Sequence, residues 1–176
     1  MMEDDQKHFY GRFIMRSRLR VLFFALCAVL IVAADQITKL LVLDRIPLGS
    51  VIKVIPNWFH LTYVQNTGAA FSSFQGMRWL FVGIFLLLTA ALLFEYFKKP
   101  LPFTTFERFC LAAIYGGGLG NVIDRVRLGY VVDMIDAAFI DFPIFNVADC
   151  FITCGTVLFL AHLVLFNKAF WKDGKQ

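Results

Sequence analysis

Four long apolar runs separated by polar stretches dominate this chain of 176 residues, and no other feature constrains its fold as strongly. With 59% hydrophobic residues, 21 of them Phe, and only 17% charged, the sequence lacks the polar surface that a soluble globule needs. A hydrocarbon core about 30 Å thick is crossed by roughly 20 apolar residues in helical form. The runs therefore predict spans at about 19–43, 78–97, 104–123 and 146–166, within a single membrane-embedded domain covering 1–176. The first run begins at Val21 and continues through Asp35-Gln-Ile-Thr-Lys39 into further Leu and Val, so it reads as a span rather than a cleavable leader.

The connecting stretches differ in character. From Asp44 to Met77 the chain carries Pro47, Gly49, Pro56 and Gly68, and between Val51 and Val64 it is rich in β-branched and aromatic residues. That composition predicts short strands outside the hydrocarbon. The string VVDMIDAAFID, from Val131 to Asp141, is too short to cross a bilayer and reads as an amphipathic helix lying along the interface. The fold expected is an all-α membrane protein of four transmembrane helices, with a small extracytoplasmic β-rich segment and an amphipathic interfacial helix.

The net charge of +4 is distributed as topology signals rather than as a nucleic-acid face. Basic residues gather before Val21 (Lys7, Arg12, Arg16, Arg18, Arg20), around the second turn (Lys98, Lys99, Arg108) and near the end (Lys168, Lys172, Lys175). The positive-inside rule then places both termini in the cytoplasm and the stretches with Arg45, Lys53, Arg125 and Arg127 outside. Cys27, Cys110, Cys150 and Cys154 lack paired zinc-ligand spacing and read as small apolar helix residues, and His8, His60 and His162 are scattered. No metal, cofactor or nucleic-acid partner is expected.

Ionisable side chains at membrane depth are costly, and those that persist are usually paired or functional. Here Asp35 and Lys39 end the first span, Asn66 precedes the second, Asn121, Asp124 and Arg125 end the third, and Asn146 and Asp149 begin the fourth. All fall at one level, toward the outer face. Structural roles compete for several of them. Asp35 and Lys39 at i, i+4 form an ion pair in the simplest reading, Arg125 has the length to snorkel to headgroups, and Gly116, Gly117, Gly118 and Gly120 suit close helix packing. Asp149 suits a helix N-terminus. Asp133 interrupts an apolar string, and paired with Asp149 it has a chemical use: two close carboxylates share a proton, so one serves as base and the other as acid. Two other classes stay open. Asp133, Asp136 and Asp141 could gather Mg²⁺ in a lipid phosphotransferase, or buried Asp and Arg could line an ion path in a small carrier.

The strings DQITK (35–39), QNTGAAFS (65–72), GGGLGNVIDR (116–125), VVD (131–133) and FNVAD (145–149) together resemble, in order, the signature blocks of bacterial lipoprotein signal peptidase, or signal peptidase II. The resemblance implies a four-span aspartic endopeptidase of the bacterial cytoplasmic membrane that needs no cofactor. Such an enzyme removes the signal peptide of diacylglyceryl-modified prolipoproteins by cutting before the lipidated cysteine. On this chain it implies catalytic Asp133 and Asp149, with Asn66, Asn121, Arg125 and Asn146 holding substrate and Asp35, Lys39, Gly68 and Asp124 in support. The enzyme's partners would be lipidated prolipoproteins and membrane lipids; the site is expected at the outer face, where the polar residues fall, and the protein is expected to be a monomer. The family often has Phe and Ser after the two catalytic aspartates, where this chain has Met134 and Cys150. Asp136 and Asp141 read as solvated.

Overall fold

The computed structural model describes residues 2–68, 73–98 and 101–173, with side chains between 19 and 171 within those ranges. Part of the QNTGAAFS string, the Lys99-Pro100 turn, and the side chains of the basic residues before Leu19 and after Trp171 lie outside the described residues.

In chain order the elements are helix α1 (Met2–Arg45), strands β1 (Val51–Ile55) and β2 (Phe59–Asn66), helices α2 (Arg78–Phe97) and α3 (Thr105–Arg127), strand β3 (Val131–Asp136), and helices α4 (Val147–Leu165) and α5 (Lys168–Asp173). Among the described residues, three helical stretches are long and apolar enough to cross a membrane: Leu19–Arg45, α2 and α4. Away from the charged ends, their exposed side chains are almost all apolar, Leu22, Leu26, Leu30, Leu87, Phe94, Val157 and Val164 among them, as a lipid-facing surface requires.

Helix α3 differs because it lies between the others. Its glycines let neighbours approach closely: Gly116 faces Ala28 and Ile31 of α1, Gly118 faces the Phe85 ring of α2, and a Cβ on Gly117 would lie 2.5 Å from the Ala148 carbonyl of α4. A helix covered on several sides need not be apolar all round, so α3 tolerates Asn121, Asp124 and Arg125. Its start is fixed by a capping box: Thr104 Oγ1 accepts from the Glu107 amide, and Glu107 Oε2 accepts from the Thr104 amide.

The three strands form one antiparallel sheet in the order β1-β2-β3. β3 corrects the sequence reading, in which this stretch was an amphipathic interfacial helix; Val131–Asp136 is extended, and 137–144 holds turns and irregular backbone. The reason lies in the side-chain period. Val132 and Met134 point to one face, where they pack with Tyr63 against Val42 and Ile46 at the end of α1, and Asp133 points to the other. A helix would have scattered these residues around its circumference. Between Leu61 and Val64 the β2–β3 register shifts by one residue. That bulge places Asn66, paired with Val131, on the same face as Asp133; in the unshifted register it would face away.

Candidate active site

The residues singled out in the sequence converge where α1, α3, β2, β3 and the start of α4 meet. Asn146 caps α4 through a second capping box: its side-chain oxygen accepts from the Asp149 amide at 2.9 Å, and Asp149 Oδ2 accepts from the Asn146 amide at 3.2 Å. The sequence Asn-Val-Ala-Asp thus serves two ends. It starts an apolar helix, and it presents the Asp149 carboxylate at the helix mouth while leaving the side-chain nitrogen of Asn146, Nδ2, free to reach across.

That nitrogen donates to Asp133 Oδ1 at 2.7 Å and to Asn121 Oδ1 at 3.1 Å. Asn66 Nδ2 donates to Asp133 Oδ2 at 2.8 Å, and Asn121 Nδ2 donates to Asp149 Oδ1 at 2.8 Å. Asp133 and Asp149 are therefore held from both sides by amide donors and share Asn146 as a bridge. Asp133 is 2% exposed, whereas Asp149 is half-buried. Burial pushes the Asp133 carboxyl up to about 6; the nearby Asp149 charge adds to the rise, and the hydrogen bonds from Asn66 and Asn146 oppose it.

Behind this pair lies a buried charge cluster. Lys39 Nζ reaches Asp35 Oδ2 at 2.9 Å, Asp124 Oδ2 at 2.9 Å and Asn121 Oδ1 at 2.8 Å, which uses all three ammonium donors. Asp35 Oδ1 also accepts from the Ala148 amide at 3.0 Å. Asp124 Oδ2 accepts from the Val132 amide at 3.1 Å. With Lys39 1% and Asp35 0% exposed, the ion pair read from sequence is present, and it extends to α3 and α4 as well. Removing one partner from such a group leaves an uncompensated buried charge, at a cost of about 3–5 kcal/mol.

Arg125 lies on the other flank. Its guanidinium donates to the Gly68 carbonyl at 2.7 Å, sits 4.3 Å from the centre of the Phe81 ring on α2, and keeps a buried Nε with no partner among the described residues. Gly68 is buried, its amide donates to Asn66 Oδ1 at 2.9 Å, and a Cβ there would collide with the Ser73 carbonyl. All ten candidate residues thus belong to one connected neighbourhood.

Asp136 and Asp141 stand apart from it. Asp136 Oδ2 lies 3.1 Å from His60 Nδ1, and Asp141 is exposed; among the described residues, no three His, Cys, Asp or Glu side chains are grouped as metal ligands would be. The sequence reading missed two features. Gln36 bridges Asp35 and Asp124, although its place beside Asp35 within DQITK was a usable signal. At the opposite end of the bundle, fully buried Glu107 meets His162 Nδ1 at 2.9 Å and accepts from Asn167 Nδ2 at 2.7 Å, tying the start of α3 to the end of α4.

Comparison with known proteins matches residues 27–165 to the family described as signal peptidase (SPase) II. The chain is 43% identical over 159 residues to the lipoprotein signal peptidase of Streptococcus pyogenes serotype M1, covering 90% of this chain and 97% of that protein. The serotype M6 counterpart is 42% identical over the same lengths. Two solved structures, described as a bacterial membrane enzyme determined by the in meso method at 2.3 and 1.9 Å resolution, superpose with TM-scores of 0.73 and 0.72 at 34% identity. They cover 84% and 82% of this chain, and this chain covers 90% and 94% of theirs.

Proposed function

The chain belongs to the signal peptidase II family, and from that premise we propose that Asp133 and Asp149 are the catalytic pair with which it removes signal peptides from prolipoproteins. The observation that carries the assignment is the Asn146 side chain and backbone, which bind both carboxylates at once, at 2.7 and 3.2 Å. Two carboxylates so placed disfavour double ionisation, and Asp133, the more deeply buried of the two, holds the shared proton. Asp149 then takes a proton from water as it attacks the scissile carbonyl, and Asp133 protonates the carbonyl oxygen. Asn66 and Asn121 keep the carboxylates oriented and each has a second amide hydrogen to offer the substrate backbone, Asn146 spends its donors on holding the pair together at the place where substrate binds, and Arg125 binds substrate at the flank. Asp35, Lys39, Gly68 and Asp124 hold these groups in place.

The substrate is the diacylglyceryl-modified form, cut before the lipidated cysteine, since a site at the rim of an apolar bundle admits a lipid chain sideways while water reaches the dyad. In this reading α3 is the fourth span, the chain is a single multi-pass domain of the bacterial cytoplasmic membrane, both termini are cytoplasmic and the dyad lies at the outer face. Three observations support it: the 23 residues of α3 extend about 34 Å, its glycine and polar faces are covered by α1, α2 and α4, and the basic residues favour the termini. The sheet then lies on the outer side, and the enzyme works as a monomer. Purified protein incubated with a diacylglyceryl prolipoprotein should release the signal peptide, and the non-lipidated precursor should remain intact. Equal cleavage of both, or of neither, would refute the assignment.

A further inference from the structure

Strand β3 is the edge of the sheet, so the groups along its outer side need partners beyond β2. On one side of Asp133, the Met134 amide donates to the Phe145 carbonyl at 3.0 Å, and the Phe145 amide donates to the Ile135 carbonyl at 3.0 Å. On the other side, the Val132 amide donates to Asp124 Oδ2 at 3.1 Å. The catalytic carboxylate is thus bracketed by two anchors, a backbone one next to Asn146 and a side-chain one from α3.

A side-chain anchor holds position only if its own torsion is fixed. Asp124 Oδ2 is occupied by Lys39 and the Val132 amide, and Lys39 has no further donor to give. Among the described residues, the hydrogen bond to Asp124 Oδ1 comes from Gln36 Nε2, at 3.0 Å. The same nitrogen lies 3.2 Å from the Gly120 carbonyl one turn earlier on α3 and 3.2 Å from Asp35 Oδ2 on its own helix. Gln36 therefore spans α1 and α3 and fixes the plane of the Asp124 carboxylate. We infer that Gln36 is a positioning residue for the peptidase reaction: acting through Asp124, it fixes the backbone at Val132 and hence the place of the Asp133 carboxylate. This rests on the assignment of Asp133 to the catalytic pair. Gln36 touches neither Asp133 nor Asp149, so its effect is on the alignment of the reacting groups and not on substrate affinity.

The test is steady-state cleavage of a diacylglyceryl prolipoprotein by the full-length protein in lipid, comparing wild type, Gln36→Met, Asp124→Asn and the double variant. Met matches the length of Gln but has no donor. Gln36→Met should lower kcat about tenfold or more with KM changed less than about twofold, and the double variant should be no slower than the slower single variant, since both act along one path. Unchanged kcat, a loss carried by KM, or multiplicative effects in the double variant would overturn the inference. If Gln36→Met does not accumulate, Gln36→Glu replaces it: the ionised side chain has only acceptors to offer Asp124, so its kcat should fall further below wild type as pH rises. A pH profile parallel to wild type would overturn the inference. Absence of cleavage by wild type would remove the peptidase assignment itself, which distinguishes that failure from the failure of Gln36 alone.

Discussion

Replacing Asp133 with Asn should change the pH dependence of stability as well as activity, and the size of the change follows from burial. The Asp133 carboxyl titrates at about 6 in the fold, against an ordinary value of 3.8. Between these values the folded protein keeps a proton that the unfolded chain has lost, so raising the pH favours unfolding by about 1.4 kcal/mol per unit. The stabilisation is complete below 3.8 and is lost as pH rises through about 6, a total of about 3 kcal/mol. Asp133→Asn carries no such titration. Denaturant unfolding of both proteins in detergent, from about pH 3 to about pH 7.5, should show wild type losing about 3 kcal/mol relative to the variant, with the curves parallel above that range. The variant should also cleave nothing, since Asn keeps shape but exchanges no proton. Parallel stability curves across the whole range would refute the claim that burial raises the Asp133 carboxyl to about 6.

Asp149→Asn should likewise abolish cleavage at normal membrane levels; residual turnover above about a hundredth of wild type would exclude its role as base. Arg125→Ala should reduce kcat/KM roughly tenfold while the protein still inserts, and wild-type turnover would remove Arg125 from substrate binding. Gly120→Ala drives a Cβ into the Asp35 carboxylate and should cost about 1–3 kcal/mol in an unfolding assay, with unchanged stability arguing against so tight an α1–α3 contact. Activity should survive chelators, and inactivation reversed by Mg²⁺ or Zn²⁺ would put the metal-dependent class first.

What the sequence determined by itself was whatever depends on local pattern and bilayer dimensions. The apolar runs that became α2, α4 and Leu19–Arg45 could be read directly, because lipid thickness fixes their length. The strands β1 and β2 followed from β-branched composition between turn residues, and the Asp35–Lys39 pair from a one-turn spacing. The ordered motifs named the residues that converge on one neighbourhood. The tertiary structure decided how they meet. Whether Val131–Asp136 is helix or strand depended on a partner more than 60 residues away in sequence, and the bulge that turns Asn66 toward Asp133 has no local signal. Lys39 was legible as half of a pair, but its reach to Asp124 and Asn121 on α3 was not, and neither was the bridging role of Gln36. The physical reason is that a buried charge takes whichever partners the packed helices bring within about 3 Å. Sequence spacing can set that along one helix, and only the closed bundle can set it between helices.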